Sequence, residues 1–468
     1  MKNTTRKLLA IMLVLVLALS NLITVYGLDN ISAFDSKSMD DRIAALHGYE
    51  FMSNHNQSVE IIYGFYNSLP RNRAGEFVYP GQFGGMYIND DGILVLLTVD
   101  TPLTRTSPMP EVFSNARMDN RIEVRQADFP YSELMHITDM LNATIPNMDS
   151  QYTGNISGWT LDVKGNRVVV RLKEYNDEQI EFFKRSIFHF PAMVFVQCDG
   201  REMSIDRDFD IPPLVTSPPA IDVYGFTESE YIGISPTNAT VTVWPGRRVW
   251  LYRRQPNGSL VRTHRIGSVG YQATRQGRRG VTVAAHTGLA TDGVPVQTGD
   301  VFAVDGNHGN TEWLGTVSIA ALDWVDTAFV EFDGPPGWVN FVASVPQAPL
   351  LPTVIPPVVG RIVFTVGAIT GVTDGHINEI RSSFSIPVTT PGGALVRTIW
   401  LTDTILARQS GNSTAVGDSG GLVYAQVPGM WEAGIVGTHA GVYIRNNVRF
   451  NVISQASNIG RILGAWPA

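Results

Sequence analysis

The chain has 468 residues, 44% hydrophobic and 17% charged, enough apolar side chain to bury the cores of two or three domains of roughly 100–200 residues each. With 43 acidic against 35 basic residues the formal charge is -8, which argues against the basic footprint of a nucleic-acid binder. A single cysteine, Cys198, excludes an internal disulfide framework and any multi-cysteine metal centre.

Lys2, Arg6 and Lys7 precede an apolar run from Leu8 to Leu19, and Val25 and Gly27 offer small residues for cleavage. A positive end, an apolar middle and a small-residue exit predict a secretory signal over residues 1–27. The competing reading is a retained anchor, but Ser20 and Asn21 leave the run short of the ~20 apolar residues a spanning helix needs. The expectation is a secreted, extracellular protein that meets a membrane only transiently during export.

Residues 28–210 mix helical and strand signals. Tyr87–Val99 reads as a hairpin turning at Asp90-Asp91-Gly92, and Trp159–Leu172 as a second one turning at Lys164-Gly165-Asn166. Asp177 then predicts the cap of a helix from Glu178 to about Phe188, with Ile180, Phe183 and Ile187 on one face. Two strand–turn–strand units predict a duplicated α+β module. Proline pairs at 212–213 and 218–219 predict an exposed linker over 211–239. From 240 onward short β runs alternate with Gly, Pro, Asn and Asp, with helical period only at Val452–Leu463. A proline-rich bridge, Pro346–Pro357, predicts two all-β halves, which fit paired six-stranded barrels.

Three strings in the β part carry chemistry. Val281–His286 (VTVAAH) is a strand ending in a histidine, Trp324–Phe332 (WVDTAFVEF) sets an aspartate before an alternating strand, and Gly417–Gly421 (GDSGG) holds a serine in a glycine-rich turn. A serine hydroxyl needs a base to become a nucleophile at neutral pH. Imidazole suits that role, and a buried carboxylate holds its tautomer. Glycines let the backbone aim N–H donors at a developing oxyanion. His286, Asp326, Ser419 and the N–H groups of Gly417 and Ser419 supply one of each part, with Asp323 a competitor for the acid. GDSGG also satisfies the elbow pattern of α/β-hydrolases, whose order is serine, acid, histidine. Here the order is His286, Asp326, Ser419 within an all-β pattern, the chymotrypsin arrangement.

On these strings, together with Val366–Ile377 (VGAITGVTDGHI), GDSGGLVY and Ala433–Gly441 (AGIVGTHAG), residues 240–468 resemble a bacterial chymotrypsin-fold, trypsin-like serine peptidase of the streptogrisin and α-lytic protease type. The resemblance implies His286 as base, Asp326 as its orienter, Ser419 as nucleophile, and Gly417 and Ser419 as oxyanion donors. It further implies Asp418 as the carboxylate that fixes the active loop. It implies an all-β two-barrel catalytic domain preceded by a smaller α+β pro-region at 28–210, an intramolecular chaperone or inhibitor cut away in the linker. Relatives usually carry disulfides; 240–468 contains no cysteine. High contact order gives such a β fold a physical use for a folding template.

The resemblance places Ser413, six before the nucleophile, at the base of the specificity pocket, and Thr438 and His439 on its entrance strand. A small neutral Ser413 argues for large apolar side chains, whereas His439 would favour acidic ones. No cofactor is called for: His308, His376 and His439 are too scattered for zinc. The expected partners are polypeptide substrates and the chain's own pro-region, with no nucleic acid. A non-catalytic or surface-anchored binding protein on the same fold is the rival reading.

Overall fold

The computed structural model describes residues 38–73, 75–100, 110–113, 121–198, 240–289, 294–305, 311–334, 337–389, 395–410 and 413–468. The expected signal (1–27) and linker (211–239) lie outside them. Among the described residues no helix is long and apolar enough to cross a membrane.

The N-terminal region is α/β. Ser38 starts helix α1 (Met39–His47) through a reciprocal capping box with Asp41, and α2 (Tyr49–Ser68) follows. β1 (Phe83–Ile88) and β2 (Leu94–Thr98) form an antiparallel hairpin turning at Asp90–Gly92, where Gly92 takes φ +80°. β3 (Ile122–Gln126) lies parallel to β2. After helix α3 (Tyr131–Thr144) the pattern recurs: β4 (Ile156–Asp162) and β5 (Arg167–Leu172) pair antiparallel, and β6 (Met193–Gln197) joins β5 in parallel. Between β5 and β6, helix α4 spans Asp177–Ser186. Its cap is Asn176, whose side chain accepts from Gln179 N–H at 2.9 Å; Asp177, expected as the cap, is the first helical residue.

Two large β-sheets follow. In the first, eight strands lie in the order Trp466–Pro467, Gln272–Arg275, Arg278–Val283, Thr327–Phe332, Thr311–Ala321, Val301–Asp305, Arg248–Arg254 and Leu260–Ser268. This pairing does not close on itself among the described residues. In the second, Ile362–Gly367, Gly371–Thr389, Leu395–Ser410, Val448–Gln455, Ala433–Arg445 and Leu422–Gln426 pair successively, and the last returns to the first.

Two expectations change. Within Pro346–Pro357, residues Ala348–Val354 form a strand parallel to Ala433–Arg445 rather than a free bridge. Its prolines are tolerated because it runs near the sheet edge, flanked only by Ser344–Val345. The terminal helix α5 covers Ala456–Leu463 only: Val452–Gln455 complete a strand, since sheet partners override a helical pattern.

The N-terminal region is welded to the second sheet. The long strand Gly371–Thr389 pairs antiparallel with β4, Ser383 opposite Trp159 and Phe384 opposite Gly158. A Cβ on Gly158 would lie 2.1 Å from Ser383 O, so only glycine permits this approach. One apolar core then runs from Phe65, Leu134 and Trp159 to Ile380, Trp400 and Ile405, with the Trp159 and Trp400 rings 5.2 Å apart. Asn142 ties both sides, accepting from Trp159 Nε1 and Ser383 Oγ, each at 2.9 Å.

Candidate active site

Strand Arg278–Val283 runs into a single 3₁₀ turn, Ala285–Gly288, that carries His286. Its neighbour Thr327–Phe332 begins directly after Asp326, and the register Val283↔Ala328 sets the two side by side. Asp326 is fully buried. Its Oδ1 accepts from His286 N–H at 2.8 Å, and its Oδ2 accepts from the imidazole Nδ1. A carboxylate accepts and a neutral imidazole has one donor nitrogen, so the proton sits on Nδ1 and Nε2 presents a lone pair. That Nε2 lies 2.9 Å from Ser419 Oγ. The carboxylate in contact with His286 is thus that of Asp326, and Asp323 sits half-buried three residues earlier.

Ser419 comes from the second sheet, on the loop that precedes Leu422–Gln426. Gly417 and Gly420 take φ +98° and +86°, conformations that suit glycine. Asp418 fastens this loop from inside: Oδ1 accepts from Ile369 and Thr370 N–H (2.8 and 3.1 Å), and Oδ2 from Ala415 N–H and Thr370 Oγ (2.8 and 2.5 Å). Four donors on one buried carboxylate lock the turn against the 366–370 segment.

Two positioning serines carry no signal in the sequence, because a lone serine matches no motif. Ser268, on the first sheet, donates its N–H to Ser419 O (2.7 Å) and its hydroxyl to Gly417 O (2.8 Å), and accepts from Ala368 N–H (2.9 Å). It thereby stitches the serine loop to the sheet that supplies His286 and Asp326. Ser454 accepts from Asp326 N–H at 3.1 Å. Just upstream, Trp324 holds φ +79°, an outlier for a bulky residue, fixed by Trp324 N–H to Trp400 O at 2.8 Å.

Three residues are expected at a specificity pocket. Ser413 is half-buried at the start of the loop. Thr438 is fully buried, its hydroxyl 3.4 Å from that of Thr327. His439 is fully buried, its Nδ1 bonded to Asn451 Oδ1, and its backbone pairs with Gly420 and Gly421. Cys198 is a partly buried thiol that donates to Ser157 Oγ at 3.2 Å. Among the described residues no cluster of His, Cys, Asp and Glu is placed to hold a metal ion.

A family model described as a Pro-like C-terminal domain matches residues 132–197, the stretch from α3 to β6. No curated protein matches the chain. Among solved structures it is similar to Thermobifida fusca Protease A, at 14% identity and TM-score 0.33 over 48% of this chain and 98% of that one. It is similar also to Cellulomonas bogoriensis chymotrypsin, at 21% identity and TM-score 0.31 over 48% and 98%. A third is a glutamic acid-specific serine protease that utilizes a histidine triad in substrate binding, at 16% identity and TM-score 0.31 over 48% and 100%. These are distant, fold-level likenesses to chymotrypsin-type serine-protease structures.

Proposed function

We propose that the chain is a secreted serine endopeptidase made as a precursor, with residues 240–468 as a two-barrel catalytic domain and 28–210 as its pro-region. The observation that carries the reading is the continuous relay from the buried Asp326 carboxylate through His286 to Ser419 Oγ. In the proposed reaction Ser419 Oγ attacks the scissile carbonyl as its proton passes to His286 Nε2. The charged imidazolium is steadied by Asp326, and the N–H groups of Gly417 and Ser419 receive the oxyanion. His286 returns the proton to the departing amine, leaving an acyl-enzyme on Ser419. Water, deprotonated by His286, then releases the acid and restores the hydroxyl.

The chain's own cleavage falls within 211–239. A preference for large apolar side chains over acidic ones rests on the small neutral Ser413. The test is fluorophosphonate labelling of the secreted protein, followed by its intact mass. Wild type should be labelled and cut in the linker, whereas Ser419→Ala should be unlabelled and remain uncut. Labelling that survives Ser419→Ala refutes the nucleophile, and identical cutting of both proteins refutes self-processing. A panel of peptides ending in Phe, Leu or Glu decides the preference.

A further inference from the structure

Where α2 meets the strand Ile362–Gly367, a cavity of about 340 Å³ lies between the N-terminal region and the second sheet. That is within the range of small-molecule sites. Its walls include Asp40, His55 and Glu60 from the helices, and Arg361, Gln426 and Trp431 from the β region. Arg361 is 1% exposed. Among the described residues its side chain makes one hydrogen bond, Nη2 to Gln426 O at 2.8 Å, and no carboxylate stands within ion-pair distance. Burial pushes this guanidinium down to about 10, with the Tyr66 phenol steadying its charge, so it remains a cation at neutral pH.

His55 faces the same problem. It is 4% exposed, and its Nε2 accepts the N–H of Ile362 at 3.1 Å, which leaves the ring proton on Nδ1. That Nδ1 is buried without a partner. The adjoining Asn56 side chain comes close enough to the ring to favour its charged form, without an aligned hydrogen bond to Nδ1, and donates its own Nδ2 to Asp40 at 3.0 Å. Burial, and next the Arg361 charge, hold the imidazole down to about 3, so it is neutral and its neighbour's charge is felt. Two donors near enough to influence one another, one of them charged, thus share a cavity in which neither meets a carboxylate at bonding distance. Buried charges are ordinarily paired, and buried donors ordinarily bonded.

The remaining walls define the rest of the ligand. Asp40 and Glu60 supply negative charge, which disfavours a dianion such as phosphate and suits a cationic group. Met430 and Trp431 stand 49% and 66% exposed at the lip, on a turn held by Gln426 Nε2 to Met430 O at 3.2 Å. An exposed tryptophan beside a cavity is an apolar platform waiting for a side chain.

We propose that this cavity binds a free α-amino acid or short peptide with a large apolar side chain. Its carboxylate sits between Arg361 and the Nδ1–H of His55, its ammonium faces Asp40 and Glu60, and its side chain covers Trp431. The site spans two parts of the chain, so an occupant favours their association by mass action.

The test is titration calorimetry on the full chain carrying Ser419→Ala, which keeps it intact. L-phenylalanine should bind with a dissociation constant on the order of 1 mM. Phenylethylamine and sulfate should not bind, and 3-phenylpropionate, lacking the ammonium, should bind at least several-fold more weakly. Arg361→Met should abolish binding. Should that variant fail to fold, Trp431→Ala decides the matter, since an exposed side chain can be truncated safely; it should weaken binding by roughly fivefold or more. Absence of L-phenylalanine binding at ~10 mM, equal binding of sulfate or 3-phenylpropionate, or unchanged binding to Trp431→Ala would each overturn the proposal.

Discussion

Glu379→Gln keeps the shape of a side chain at the junction of the N-terminal region and the second sheet while removing its charge. Glu379 lies 9% exposed on the long strand that pairs with β4. Its Oε2 accepts from Arg171 of β5 at 2.8 Å, and its Oε1 from Arg445. Burial by itself would raise this carboxyl; the guanidinium groups of Arg171 and then Arg445 outweigh it and hold the group below its ordinary value. Breaking a buried pair by removing one partner costs about 3–5 kcal/mol, chiefly because the remaining charge loses its counter-ion out of water. The exposed pair Arg125–Glu123, at 2.7 Å with both side chains about half in solvent, is the internal control: Glu123→Gln should cost no more than ~1 kcal/mol. Urea unfolding of both variants in the Ser419→Ala background, followed by tryptophan fluorescence, measures the difference. A double-mutant cycle with Arg171→Met isolates the pair. A loss for Glu379→Gln below ~1 kcal/mol, indistinguishable from the control, would refute the claim that this ion network holds the two parts together.

Asp326→Asn should lower kcat/KM by up to about 10⁴ through the wrong imidazole tautomer, while Asp323→Asn stays within a few-fold of wild type; the reverse pattern would reassign the acid. Gly420→Ala places a Cβ 2.6 Å from both Ala284 N and Ser268 O, backbone atoms that cannot yield, so soluble yield and labelling of Ser419 should both fall. Acidification should destabilise the chain. Burial holds His55 down to about 3 and His376 down to about 4, so as pH falls through ~6.5 the unfolded histidines take up protons first. His55 accounts for about 2 kcal/mol lost between pH 8 and pH 5, and a flat urea midpoint over that range would contradict its burial as a neutral ring.

Short-range chemistry was legible in the amino-acid sequence. The turns at Asp90–Gly92 and Lys164–Asn166 are marked by residues that tolerate positive φ, as Gly92 and Asn166 do. Helix α4 follows from its apolar spacing, although the cap moved to Asn176, because adjacent Asn and Asp are equivalent as caps until the backbone chooses one. His286, Asp326 and Ser419 stand out for the same reason: each is embedded in a local string whose residue types are dictated by the turn or strand that presents it.

What the sequence by itself determined was therefore the identity of most elements and of the candidate site residues within them. Their meeting was decided by tertiary structure. The register Val283↔Ala328 brings His286 to Asp326, and Ser268 carries the serine loop across from the other sheet. Such contacts have no signature along the chain, since a serine acquires its role from the backbone groups that happen to lie opposite it. The same holds for Pro346–Pro357, which reads as a linker until a parallel partner converts its centre into a strand, and for Val452–Gln455, taken from a helical pattern by sheet pairing. The junction of β4 with Gly371–Thr389 and the cavity shared by Arg361 and His55 belong to this second class. They join residues more than 200 positions apart, some of them |i−j| = 307, and local propensity carries no information over that distance.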